Sequence, residues 1–105
     1  MELEKWLLKY NIKDMAINDL KHYLKIYKEE EEEDYRELFE GKLLDDICFI
    51  FYSVSYVINE EWNNEGAYKY ILATVELEYH DTRFAEYTAI YDLDGNPIDD
   101  YLLAL

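Results

Sequence analysis

The sequence predicts an α+β fold, with two N-terminal helices packed on one face of a three- to four-stranded antiparallel β-meander. Three observations predict it. Apolar residues recur at helical spacing over roughly the first forty residues. After Leu43 the pattern changes to runs rich in β-branched and aromatic residues, as strands are. Those later runs are joined by a few turn-forming residues, which suits hairpins rather than crossovers. The chain has 105 residues, no repeats and no flexible linker, so a single domain over 1–105 is expected, helical over 1–42 and antiparallel sheet over 43–105.

The elements follow in order. Leu3, Trp6, Leu7 and Tyr10 stand at i, i+3, i+4 and i+7, which is one face of a helix. Asn11 is expected to end it. Asp14 or Asn18 is suited to cap a second helix, because their side-chain oxygens accept first-turn N–H groups. From there Leu20, Tyr23, Leu24, Tyr27, Tyr35, Leu38 and Phe39 repeat helically, and Gly41 follows as a C′ residue. The run "EEEEED", Glu29 to Asp34, interrupts this stretch. Repulsion among adjacent acids, and their affinity for a helix N-terminus, favour a break. The apolar phase preserved across the run favours one long helix, with Glu32 and Arg36 paired at i, i+4. We expect the long helix.

"ICFIFYSVSYVI" reads as the first strand. One face would carry Ile47, Phe49, Phe51, Ser53, Ser55 and Val57; the other would carry Cys48, Ile50, Tyr52, Val54, Tyr56 and Ile58. Both faces are apolar in the first half, which suggests a central strand or one covered by helix. "NEEWNNEG" reads as a polar loop. In "AYKYILATVELEY", Ile71, Ala73, Val75 and Leu77 share one face, and Glu76 and Glu78 share the other. "HDT" is a short turn, "RFAEYTAIY" a third strand, and residues 98–103 an edge strand after "DLDGNP".

That last turn lies within "YDLDGNPIDD", residues Tyr91 to Asp100. An apolar run followed by Asp-x-Asp-Gly resembles the nucleophile loop of haloacid-dehalogenase-type phosphatases, with Asp92 and Asp94 in the attacking and acid/base positions. The resemblance covers about ten residues. Where that family's loop ends in Thr, this chain has Asn96 and then Pro97. Only 11 residues follow Asp94, which leaves no room for the later Ser or Thr, Lys and acids that the family's chemistry needs. An EF-hand frame with Gly95 at its sixth position puts Ile90 first and Tyr101 twelfth, both unsuited to calcium. The expected reading is therefore a hairpin turn, because Gly accepts positive φ and Pro suits a strand start.

Other chemistry finds little support. His22 falls among polar helix positions, and His80–Asp81 is an adjacent pair in a turn. One cysteine and two distant histidines have no zinc spacing. Gly41, Gly66 and Gly95 lie too far apart for a phosphate loop. No catalytic residue, metal or cofactor is expected, so the chain is read as a protein that is not an enzyme. Cys48 has no internal partner for a disulfide and is expected to pack as a small buried hydrophobe. No apolar run reaches the ~18 residues of a membrane span, and Met1 to Lys5 lack a signal pattern. A reducing cytoplasm is the expected location.

Charge is the strongest signal. The formal net charge is -15. Six lysines against four acids give residues 1–28 a charge of +2; residues 29–105 carry 21 acids against Arg36, Lys42, Lys69 and Arg83, giving -17. Such a field repels nucleic acid and anionic membranes and attracts basic surfaces. Six helical acids would present about one charge per 1.5 Å, close to the roughly 1.7 Å of duplex DNA. The 12 tyrosines supply large contact area at low entropic cost. Tyr68 and Tyr70 share the side of the second strand that carries Glu76 and Glu78, a face either exposed or covered by the helices.

Two functional classes follow. In the first, the chain is a binding protein whose acids Glu29, Glu30, Glu31, Glu32, Glu33, Asp34, Glu60, Glu61 and Glu65 pair with the Arg and Lys of a nucleic-acid groove. Tyr68, Tyr70, Glu76 and Glu78 would complete the contact. Small size, acidity and abundant tyrosine resemble, in character rather than motif, the small phage or mobile-element inhibitors of CRISPR effectors and restriction enzymes, some of them DNA mimics. An immunity protein or antitoxin against a nuclease toxin has the same profile. The expected partner is a basic, nucleic-acid-binding nuclease or effector complex, with no direct contact to nucleic acid or membrane. In the second class, Asp92, Asp94, Asp99 and Asp100 form a cation-binding module or small enzyme site.

Overall fold

A computed structural model describes residues 2–63 and 66–105, with side chains described outside 60–67. Three helices, α1 (Leu3–Tyr10), α2 (Ile12–Glu30) and α3 (Glu32–Phe39), precede four strands. These are β1 (Ile47–Asn63), β2 (Gly66–Tyr79), β3 (Thr82–Tyr91) and β4 (Pro97–Ala104), in one antiparallel sheet of order β1-β2-β3-β4. The expected α+β meander with helices on one face is the observed architecture.

Asn11 ends α1 as expected. It adopts φ 51°, a left-handed conformation that Asn tolerates, and its N–H bonds the carbonyl of Leu7. It also starts α2, accepting the N–H of Met15 at 3.1 Å. The expected caps Asp14 and Asn18 are therefore both inside α2. A one-residue reversal leaves no linker for them to close.

The long helix expected over the acid run is broken at Glu31, which has φ −126° and ψ 56°. Glu32, Glu33 and Asp34 then occupy the first turn of α3, where the helix dipole favours acids. Hydrogen bonds nearly bridge the break: Glu31 N–H donates to Tyr27 O at 2.8 Å, and Tyr35 N–H donates to Glu31 O at 2.9 Å. The apolar phase survives because an aromatic ladder spans it. Tyr23 and Tyr27 meet at 6.0 Å between ring centroids, Tyr27 and Tyr35 at 5.9 Å, and Tyr35 and Phe39 at 4.5 Å. The expected Glu32–Arg36 pair forms at 2.7 Å.

β1 is an edge strand rather than a central one, and as the other alternative expected it is covered by helix, on one face, where it packs against α2. Its alternation is also interrupted. Phe51 pairs with Val75 but Ser53 pairs with Thr74, so Tyr52 is an extra residue in a bulge. Ile47, Phe49 and Phe51 face the core before it, and Val54 and Tyr56 after it. Because side chains alternate with period two, one extra residue exchanges the two faces. Cys48 lies on the side away from the helices and is exposed, which corrects the expectation that it is buried.

The core joins Trp6, Ile12, Ala16, Leu20 and Phe39 of the helices to Ile71, Ala73, Val75 and Leu77 of β2, and to Ala85, Tyr87, Ala89 and Tyr91 of β3. At the β2–β3 turn, His80 and Asp81 both take positive φ (50° and 64°), the geometry that matches the strand twist. The β3–β4 turn is organised by Asp92. One carboxylate oxygen accepts the N–H of Asp94 and of Asn96 at 2.9 Å each, and the other accepts the Asn96 side chain at 3.2 Å. The backbone N–H of Asn96 leads the interactions that hold the Asp92 carboxyl below the usual range. Helix α1 docks on this turn. Trp6 Nε1–H donates to Leu93 O at 2.9 Å, and the Tyr10 ring lies against Gly95 (φ 84°), where a Cβ would fall on the ring.

Candidate functional site

The structure distributes the sequence-predicted contact residues over both sides of the sheet. Glu29 and Glu30 end α2, Glu31 is the break, and Glu32, Glu33 and Asp34 open α3. All six are exposed, on the helical side of the molecule. Because the run bends at Glu31, it is not the single straight charged rod that the DNA-like spacing assumed. Tyr68, Tyr70, Glu76 and Glu78 share the opposite face with one another, as their alternation with Ile71, Ala73, Val75 and Leu77 requires. That face is not covered by the helices. A flat partner surface therefore meets one group or the other. Glu60 and Glu61, by side chain, and Glu65 altogether lie outside the described residues.

The open face is not a uniform acidic platform. The Tyr68 and Tyr70 rings meet at a tilt, 5.5 Å between centroids, and both residues are half-buried. Glu76 is only 7% exposed and accepts from Arg83 Nη1 at 2.7 Å. Arg83 also lies 3.8 Å from Glu86. The hydrogen bond that Arg83 donates to Glu76, and then the Glu76 charge, hold the Arg83 guanidinium above its usual value. Glu76 is thus matched inside the molecule, whereas Glu78 is half-buried beside Cys48 in the register. Tyr52, at 62% exposed, and Ile50 make the outer part of this face apolar.

A second feature was not anticipated from sequence. Between the α2–α3 layer and β4 runs a groove, made of two adjoining hollows of about 530 and 330 Å³ that share His22 and Asp100. Asp19, Glu30, Glu31, Asp34, Asp99 and Asp100 are among its lining residues, with Tyr23, Tyr27, Tyr87 and Tyr91. His22 is the one basic residue lining it among the described residues. Two long-range bonds shape its floor. Tyr91 Oη–H donates to Asp19 at 2.8 Å, and Tyr87 Oη–H donates to Asp100 at 2.7 Å.

Burial, and then the carboxylate that each hydroxyl serves, push the Tyr87 and Tyr91 phenols far above the usual tyrosine range. Each hydroxyl stands as a hydrogen-bond donor to its carboxylate. Tyr27 is raised as well, by burial first and then by the charge of Asp34. Carboxylates beside neutral aromatic rings make a receptor for a guanidinium or ammonium group. The signal in the sequence was weak. Buried tyrosines need acceptors, but nothing in the spacing tells that Tyr91 finds one 72 positions away.

Asp92, Asp94, Asp99 and Asp100 do not converge. Asp92 is saturated within its turn, Asp99 accepts the N–H of Asp100 at 2.8 Å, and Asp100 turns to Tyr87. Among the described residues no three His, Cys, Asp or Glu side chains are grouped to hold a metal ion. No described helix is long and apolar enough to cross a membrane. No family model, curated protein or solved structure matches the chain.

Proposed function

We propose that this protein binds the basic, nucleic-acid-contacting surface of another protein and blocks it. The observation that carries this reading is the continuity of the exposed acids at the α2–α3 break with the acidic, tyrosine-lined groove beside them. Glu30, Glu31 and Asp34 belong to both. A surface of this kind supplies what duplex phosphate supplies to a basic groove: closely spaced negative charge in front of flat apolar rings. Electrostatic steering speeds encounter, and tyrosines provide buried anchors. The class of partner is a nuclease or effector complex of a bacterial defence system. The protein is then an inhibitor of the anti-CRISPR or antirestriction kind, carried by a phage or mobile element.

The test is competitive capture. The immobilised protein is exposed to nuclease-treated bacterial lysate at low salt. Retained proteins should be basic nucleic-acid-binding proteins, should elute as salt rises several-fold, and should be released by short duplex DNA. Retention indifferent to both salt and DNA overturns the reading. Replacing Glu29 to Asp34 by the matching amides should weaken capture; unchanged capture removes this surface from the contact.

A further inference from the structure

The outer edge of β4 is the second structural feature of the groove, and the two together specify how a partner would enter. Leu105 N–H donates to Phe84 O at 3.0 Å, and Ala104 pairs with Ala85. By antiparallel alternation, the backbone groups of Leu103 and Tyr101 also turn towards β3, while those of Ala104, Leu102 and Asp100 turn outward. Asp99 covers the Asp100 N–H, leaving Leu102 and Ala104 to present theirs at the edge.

Natural edge strands are usually blunted by lysine, by proline within the strand, by bulges, or by a covering helix. β4 has Pro97 only at its first position and no lysine or arginine; its charges are Asp99 and Asp100, which guard the edge against acidic strands but not against basic ones. Its register slips only at that same start, opposite Tyr91. The other edge, β1, carries the Tyr52 bulge and packs against α2. Beside β4, side chains of an added strand would reach the acidic groove on one side. On the other they would meet Tyr101 and Leu103, which are exposed.

We propose that β4 accepts an extended basic segment of the partner as a fifth strand, with alternate Arg or Lys side chains entering the groove between β4 and α2–α3. Charge selects this occupant over a second copy of the chain. A copy would bring its own Asp99 and Asp100 to the same edge and a net charge of -15. A basic strand instead gains main-chain hydrogen bonds at Leu102 and Ala104 and pairs its cations with Asp34, Glu30 and the aspartates of the floor. This inference rests on the reading of the protein as a binder of basic surfaces, and it deepens it.

The probe is a synthetic peptide of about eight residues alternating arginine and valine, with a backbone N-methylated twin and a glutamate–valine control. Amide exchange is followed residue by residue. Adding the arginine peptide should slow exchange at Leu102 and Ala104 by about tenfold or more, and neither the twin nor the control should do so. Ala104→Pro removes one outward N–H at an exposed position. It should weaken peptide binding by about tenfold while amides of β1 to β3 keep their protection. Equal binding of the N-methylated twin, or protection away from β4, overturns the proposal. If Ala104→Pro leaves capture of basic proteins intact while neutralising Glu29 to Asp34 abolishes it, the edge site falls and the functional reading stands. If the peptide adds to β4 but no captured protein competes with DNA, the functional reading falls and the edge site stands.

Discussion

On the helical side of the sheet, Ile71, Ala73, Val75 and Leu77 are sealed beneath the helices. One residue along, on the open side, Thr74 and Glu76 are nearly as inaccessible, although the helices lie on the other face. The same strand thus buries its two faces by different means. The helical side excludes water by volume, with small and branched side chains meeting Ala16 and Leu20. The open side does so with the long neighbours of its own sheet, and it holds a carboxylate there only because Arg83 answers it. Changes of volume should therefore dominate on the first face and changes of charge on the second.

The largest effect expected from this contrast is a core truncation. Leu20→Ala should cost about 2–5 kcal/mol in urea denaturation, because Leu20 is fully buried. The same truncation at Leu103, exposed on the open side, should cost under about 1 kcal/mol. Similar losses at the two positions would show that the two faces do not differ in how they depend on side-chain volume.

The hydroxyls come next. Tyr91→Phe and Tyr87→Phe should each cost about 1–2 kcal/mol, since each leaves a carboxylate short of one donor. Their ionisation gives a pH test. Both folded phenols are raised above the unfolded value, so their contribution is complete below about pH 10 and is lost as the pH climbs beyond it. In a tyrosinate absorbance titration their signal should emerge only with unfolding, and the double Phe variant should lack that late phase.

Arg83→Ala should then lower stability more than Arg36→Ala does, because Arg36 serves an exposed Glu32 whereas Arg83 serves a buried Glu76. Adding Glu76→Gln should recover much of the loss, and failure to recover it would show that Arg83 acts through packing alone. The smallest effect on stability is expected at the acid run. Amide replacement of Glu29 to Asp34 should change it by no more than about 0.5 kcal/mol while weakening partner capture.

Much of the fold was legible because its signals are local. The helical spacing of Leu3, Trp6, Leu7 and Tyr10, the Asn11 stop, the two short turns and the β4 edge each follow from a few adjacent residues. The misreadings have a common cause, which is that a single residue can alter geometry without altering the pattern around it. Glu31 breaks the helix, yet Tyr27 and Tyr35 stay in contact, so the apolar phase carries no trace of the break. Tyr52 exchanges the faces of β1, yet the run is apolar on both faces and looks continuous. The apolar first half of β1 suggested a central strand or one covered by helix; the strand packs against α2 but lies at the sheet edge, with Ile50, Tyr52 and Ile58 exposed. For the candidate site, the exposure of the acid run was legible. Its separation from Tyr68 and Tyr70 was not, because that depends on which sheet face the helices choose. The groove depends on Asp19 meeting Tyr91 and Asp100 meeting Tyr87, encounters that only the folded chain arranges.

The contact of Trp6 with Leu93 spans 87 positions. Its consequence is one of timing. During synthesis α1 emerges well before the turn on which it rests. Its tryptophan has no carbonyl to meet until the fourth strand is at hand. The Trp6 indole therefore reports the docking of α1 on the β3–β4 turn. Its fluorescence should reach the native value only in the final step of refolding, after the β2–β3 hairpin has formed.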